Sequence, residues 1–304
     1  PAFTATDRRA LHSVAAQFWV NGVVFASFVP RLPEIKDRIE VGLATLGLLL
    51  TLGSLGGLVG SSLCGRLIER FGTRRVMLGG ATGLVLTLPL VGLATTPAFF
   101  LVTVMSMHLF DVLTDVAMNM QGSWLSGRRS TPVMHRLHGL WSVGTVVGGL
   151  LASRLASGTV SLQTHLLVVS ACLLATLLYV APGLLRWDEI PRPIGPSPIH
   201  ASGDNCPATS QRRVLLLLAI LAFGAVVVEI ITSDWAALRL SEDLSASASV
   251  AALGYVAFTS GMVMGRFSGD WATARIGAQR LTKLAIVTAG IGLAAATLVP
   301  GSVG

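Results

Sequence analysis

The sequence predicts an all-α polytopic membrane protein, and three observations carry that prediction. Of its 304 residues 52% are hydrophobic and only 12% are charged, against the ~25% charged residues of soluble domains, and mean hydropathy is +0.71. Nine mainly apolar runs recur along the chain, each near the roughly 20 residues a helix needs to cross about 30 Å of hydrocarbon. The Lys and Arg residues cluster in alternate connectors between those runs, the asymmetry that orients membrane helices.

The runs are Leu11–Val29, Leu43–Cys64, Val76–Leu93, Ala98–Met120, Leu137–Ser153, Leu162–Leu185, Val214–Trp235, Val250–Phe267 and Leu281–Val299. The first follows Asp7-Arg8-Arg9, as a signal peptide would. Its length, its Gln17 and Asn21, and the lack of a small-x-small cleavage site mark a retained helix instead. His108, Asp111, Asp115 and His138 interrupt the fourth and fifth runs. Between the second and third lies Gly65-Arg-Leu-Ile-Glu-Arg-Phe-Gly-Thr-Arg-Arg75, five charges in a turn-forming connector. With the N-terminus inside, 17 of the 22 Lys and Arg residues face the cytoplasm. This predicts a multi-pass protein of the cytoplasmic membrane with a cytoplasmic N-terminus.

The longest connector, Arg186 to Arg213, carries Pro191, Pro193, Pro196, Pro198, Gly203 and Pro207 and reads as a flexible or partly extended linker. The predicted organisation is a six-helix bundle over 1–185, a cytoplasmic linker over 186–213 and three further helices over 214–304. A second basic, glycine-bearing connector follows the eighth run: Gly265-Arg-Phe-Ser-Gly-Asp270, then Arg275, Gly277 and Arg280. Gly72 and Gly277 lie 205 residues apart, about one six-helix unit, which predicts a parallel internal repeat.

Several function classes are excluded. A net charge of +7 would suit nucleic acid only if it gathered on a solvated face; here it sits in connectors facing lipid headgroups. No GxxxxGK[ST] phosphate loop is present, and the lysines are Lys36 and Lys283 alone, which argues against an ATP-driven pump. Cys64, Cys172 and Cys206 have no paired spacing, and His135-x-x-His138 lacks an HExxH or Cys/His context. No GxSxG nucleophile appears. The reading is of a non-enzyme with no cofactor and no metal, whose partners are the lipid bilayer, a small solute and protons.

The fourth helix carries the most chemistry. His108, Asp111, Asp115 and Asn119 are spaced 3, 4 and 4, within an arc of about 80° on a helix. A charge at the centre of a lipid-facing helix costs about 2.5–3.5 kcal/mol on insertion scales, so two carboxylates on one face look into a cavity or pair across helices. In the first helix Ser13, Gln17 and Asn21 are successive i,i+4 residues, and Asn21 falls near the midplane; amides there contact solute or join helices by bonds worth about 0.6 kcal/mol. Glu229 lies deep in the seventh helix, with Asp234 at its outer end. A carboxyl group inside the membrane can take up and release a proton during a transport cycle, the expectation for Glu229 or Asp115. His138, Ser142 and Thr145 share a face of the fifth helix beside Trp141. Gly53, Gly56, Gly57 and Gly60, Gly144 and Gly148, and Gly261 and Gly265 are read as close-packing positions in lipid.

The pattern Gly65-x-Leu67-x-Glu69-Arg70-x-Gly72-x-Arg74-Arg75 closely resembles the signature between helices two and three of the major facilitator superfamily, with Glu where Asp is commoner. Arg31-Leu-Pro-Glu-Ile-Lys36, Asp115-x-x-x-Asn119-x-Gln121-Gly122, His138-Gly139-x-Trp141-Ser142-x-Gly144 and Asp234-Trp235 are similar to a bacterial subfamily of mostly unassigned substrate. The resemblance implies twelve helices in two six-helix halves, alternating access, and a cavity lined by helices one, four, seven and ten. It also implies a gating role for Gly65, Glu69, Arg70, Gly72, Arg74 and Arg75, with Glu69 and its arginines engaging helix eleven. Gly139 to Leu151 holds no Pro, unlike the family's antiporter signature.

The resulting expectation is a secondary active transporter of a small polar solute. Its site candidates are Asp111, Asp115, Asn119, His108, Asn21, Gln17, Glu229 and His138. Because the family pattern calls for three helices beyond Gly304, the alternative expectation is a truncated, non-transporting membrane remnant.

Overall fold

The computed structural model describes residues 3–129, 133–158, 160–186 and 208–298, except the side chains of 208–211, 270 and 278. All regular structure among them is helical. Most of the predicted linker therefore lies outside the described residues.

The first helix, α1 (Ala5–Phe28), starts at a reciprocal cap. Thr4 Oγ1 accepts from the Asp7 N–H at 3.1 Å, and the Thr4 N–H donates to Asp7 Oδ2 at 3.0 Å, satisfying donors a helix start leaves open and contributing about 1 kcal/mol. Pro30 and Pro33 then direct the chain through a 3-10 turn, Val29–Arg31, into the short α2 (Leu32–Arg38). Arg31, a connector residue in the sequence reading, is only 4% exposed and pairs with Glu34 at 2.5 Å. After Gly42 come α3 (Leu43–Gly53) and α4 (Leu55–Leu93).

The charged connector is not an irregular loop. Helical structure runs through Gly65–Arg75, broken at Gly72, whose φ of 78° and ψ of 157° are essentially open to glycine alone. The chain reverses there, as its neighbours on α5 (Pro97–Arg128) show. Gly53, Gly56 and Gly60 abut Val104, Met105 and Leu109, so that arm runs parallel to α5; Thr73, Gly80 and Gly83 meet Gln121, Thr114 and Phe110, so the next arm runs antiparallel. Helix α5 begins at Pro97 under a Thr96 cap and continues unbroken past His108, Asp111 and Asp115.

Helix α6 (Met134–Leu155) lies along α1 with the backbones nearly touching. A Cβ on Gly22 would collide with the Trp141 carbonyl, and one on Gly144 would stand 2.5 Å from the Trp19 carbonyl. Such close approach lets dispersion replace the hydrophobic drive that lipid does not supply. Helix α7 (Leu162–Val180), capped by Ser161, packs on the second arm of α4, where Ser170 Oγ donates to the Val85 carbonyl at 3.0 Å.

Helices α8 (Ala208–Glu242) and α9 (Ala248–Ile276) form an antiparallel hairpin, with Gly254 against Ala236. Helix α9 crosses α6 in the opposite direction: Ser153 Oγ donates to the Ser249 carbonyl at 2.7 Å, and Gly139 faces the Phe267 ring. At the α2 end, Lys36 Nζ pairs with Glu242 at 2.5 Å, and the Trp235 ring seats against Gly47. The expected connector at Gly265–Asp270 is helical and belongs to α9. The chain turns later, at Gly277, whose φ of 82° and ψ of 149° nearly repeat those of Gly72, before α10 (Ala278–Leu298).

Seven stretches among the described residues are long and apolar enough to cross a membrane. The turn at Gly72 divides Leu43–Leu93 into two spans, and α6 falls below that apolar threshold because it carries His135, Arg136, His138 and Arg154. Among the described residues each of the nine expected runs thus falls on helix, the sixth reaching two residues past its helical end at Gly183. Of the glycines read as packing positions, Gly53, Gly56, Gly57, Gly60, Gly144 and Gly148 meet neighbouring helices. Gly261 and Gly265 do not: a Cβ there would have no neighbour within 4 Å among the described residues.

Candidate substrate cavity

Helical spacing sets the floor of a cavity between α1, α5, α6, α8 and α9. Asp111 and Asp115 are separated by one turn and about 40° on α5, and both reach a cavity of about 190 Å3 lined by Asn21, Phe25, Met118, His138, Trp141, Glu229 and Arg266. Because α1 runs antiparallel to α5, Asn21 stands opposite Asp111, and its Nδ2 donates to Asp111 Oδ1 at 2.8 Å. The Trp141 indole donates to Asn21 Oδ1 at 2.7 Å. An indole N–H is donor only, so it fixes the Asn21 amide with its nitrogen toward the carboxylate.

A second chain of bonds holds Asp115. Asn119 Nδ2 donates to the Asp115 carbonyl and to its Oδ1, both at 2.9 Å. Asn119 Oδ1 then accepts from His138 Nε2 at 3.1 Å, which assigns the His138 proton to Nε2. The edge of Phe18 packs on the His138 ring, with centroids 5.0 Å apart.

The remaining wall comes from α8 and α9. The Arg266 guanidinium lies 4.9 Å over the Trp141 ring, within cation–π range. Its Nη1 donates to Ser142 Oγ at 2.5 Å and its Nη2 stands 3.6 Å from Glu229 Oε1. One side chain thereby joins α6, α8 and α9 at the cavity.

A Major Facilitator Superfamily profile matches residues 14–304. The chain belongs to the Major Facilitator Superfamily. It is 30% identical over 300 residues to the membrane protein MosC of Rhizobium meliloti, covering 96% of this chain and 69% of that protein. It is also 30% identical over 258 residues to an uncharacterised MFS-type transporter of Yersinia pestis, covering 85% of this chain and 64% of that one. A crystal structure of the nucleoside transporter NupG superposes with a TM-score of 0.57 at 11% identity, over 90% of this chain and 69% of the other. That likeness shows the shared fold alone. The chain thus spans about two thirds of the length of these relatives. Membership in this family makes it a membrane transporter rather than an enzyme.

In this major facilitator protein the cavity gathers Asn21, Asp111, Asp115, His138 and Glu229. Asn119 does not line the cavity but bridges Asp115 and His138. His108 is turned toward the Phe25 ring, 5.9 Å between centroids. Gln17 is fully buried, and neither its Oε1 nor its Nε2 has a hydrogen-bond partner among the described residues. None of Gly65, Glu69, Arg70, Gly72, Arg74 and Arg75 lines the cavity. Glu69 is exposed, and among the described residues no hydrogen-bond or ion-pair partner faces it; Arg70 lies 5.3 Å over the Phe71 ring. Sequence reasoning missed Arg266 by placing it in a connector. The available signal was an acidic and a basic residue, Glu229 and Arg266, on consecutive spans.

Proposed function

We propose that this chain moves a small polar solute across the cytoplasmic membrane by alternating access, with Asp111, Asp115 and Glu229 as solute and proton sites. The observation that carries the reading is the cavity itself: carboxylates of α5 face Glu229 and Arg266 of α8 and α9 across one open space. A cavity walled by both groups of helices changes its exposure when α8–α9 rock against α1–α7, the motion of alternating access. The organisation proposed with it is a six-helix bundle over 1–185, a linker over 186–213 and a partial second bundle over 214–304, with the N-terminus cytoplasmic. In the same reading Glu69 and its neighbouring arginines act in gating at the Gly72 turn. The positive connectors support the orientation, and buried carboxyl groups with few fixed cations support proton loading.

The test is solute-driven proton movement. Purified protein is reconstituted into liposomes enclosing a pH-sensitive dye and challenged with sugars, amino acids, nucleosides, amines and organic acids. At least one class is expected to shift the internal pH. That shift should disappear when Asp115→Asn and Glu229→Gln are combined. Uptake indifferent to a pH gradient and to both substitutions would refute the coupling. A protein that moves no solute would refute the transport reading.

A further inference from the structure

We propose that the cavity takes a small organic cation bearing a protonated amine, held between the free oxygens of Asp111 and Asp115. This rests on the transport reading above and assigns a charge class to its solute. It follows from which hydrogen-bonding groups of the wall are still available.

Most of the wall's donor groups already have a partner within the protein. The Trp141 indole N–H is used by Asn21, the Asn21 amide by Asp111, the Asn119 amide by Asp115, and His138 Nε2 by Asn119. Arg266 is directed to Ser142, the His138 carbonyl and Glu229, with its face on Trp141. The acceptors are not committed. Asp111 Oδ2, Asp115 Oδ2 and Glu229 Oε2 make no hydrogen bond to the described residues and are not sealed from the open space. An occupant must therefore bring donors, since unpaired acceptors shut away from water cost about 1–3 kcal/mol each.

Charge selects among donor-bearing solutes. Three carboxylates and one guanidinium line the space, so with His138 neutral the ionised wall carries two excess negative charges. In a site of reduced dielectric that imbalance repels anions and favours cations. A polyol would satisfy the acceptors but leave the charge; an ammonium group satisfies both. Arg266 already displays the geometry on the protein's own side chain, a nitrogen cation resting on Trp141 beside a carboxylate. Phe25 and Met118 supply apolar wall for the carbon skeleton.

Two matched series test the assignment: putrescine, 1,4-butanediol and succinate, and benzylamine, benzyl alcohol and benzoate. Each is added to the purified protein in detergent at constant ionic strength, and thermal unfolding is followed. The amines are expected to raise the midpoint by about 2–4 °C near saturation, and their counterparts to leave it unchanged. The shift should vanish in Asp111→Asn/Asp115→Asn, a pair that keeps side-chain volume and the bonds from Asn21 and Asn119. An equal or larger shift with the alcohols or acids, amines without effect, or an amine shift that survives the double substitution would each overturn the proposal. A neutral or anionic solute that drives the liposome signal would defeat the charge assignment while the transport reading stands; silence from every class would defeat both.

Discussion

Trp141 Nε1 donates to Asn21 Oδ1 at 2.7 Å, and Asn21 in turn donates to Asp111, so an indole on α6 sets the orientation of a carboxylate on α5 through the amide between them. Substituting Trp141→Phe keeps an aromatic face and removes the donor. The freed amide can then flip or turn away, and Asp111 loses a fixed orientation. Solute affinity is expected to fall about fivefold to tenfold, the effect of about 1–1.4 kcal/mol for one buried hydrogen bond. Equilibrium binding of the best solute to both proteins checks this; unchanged affinity would show that the Asn21 orientation is held by other contacts.

Gln17 offers a stability prediction of opposite sign. Its amide is fully buried with both polar atoms unpartnered among the described residues, a burden of about 1–3 kcal/mol. Gln17→Leu removes those polar atoms at similar volume, so the unfolding midpoint should rise by a few degrees. A lower midpoint would mean that the amide is hydrogen-bonded in the membrane-embedded protein, as direct solute contact would also require.

The glycine interfaces separate contact from mere composition. Gly22→Ala forces a methyl group into the Trp141 carbonyl and Gly144→Ala does the same at Trp19, so each should destabilise by about 1–3 kcal/mol through overpacking. Gly261→Ala meets no neighbour within 4 Å among the described residues and should be neutral or stabilising by up to about 1 kcal/mol, since alanine favours helix over glycine. Thermal unfolding of the three variants side by side decides the matter.

At the two turns, Gly72→Ala and Gly277→Ala place a Cβ on backbones of φ 78° and 82°, a strain of about 1–3 kcal/mol. Gly72→Ala is expected to lower the unfolding midpoint, whereas Glu69→Gln, on an exposed side chain with no partner among the described residues, should leave membrane insertion and midpoint unchanged. Loss of insertion in Glu69→Gln would make this segment chiefly structural.

The nine spans and the α5 stripe were legible in the sequence because both rest on local geometry: apolar length for the spans, and 3,4,4 spacing for His108, Asp111, Asp115 and Asn119. The same spacing could not say that His108 turns to Phe25 while its neighbours face the cavity, since that depends on where α1 lies. Helix α9 was cut short because hydropathy falls at Gly265–Asp270 although the backbone stays helical to Ile276; a helix does not end where its apolar run ends. Arg266 consequently read as a connector charge. Only the antiparallel crossing of α9 on α6 places it over Trp141.

The most direct measurement is solute-driven proton uptake in liposomes by Asp111→Asn beside the unsubstituted protein, with unfolding midpoints recorded for both. Asparagine keeps the volume and can still accept from Asn21. The account predicts a fold stable to within a few degrees and transport reduced at least about tenfold, the loss expected when about 1.4 kcal/mol or more of solute and proton interaction is removed. Wild-type transport by Asp111→Asn would contradict it, and would place the solute path outside the cavity between α5 and the α8–α9 hairpin.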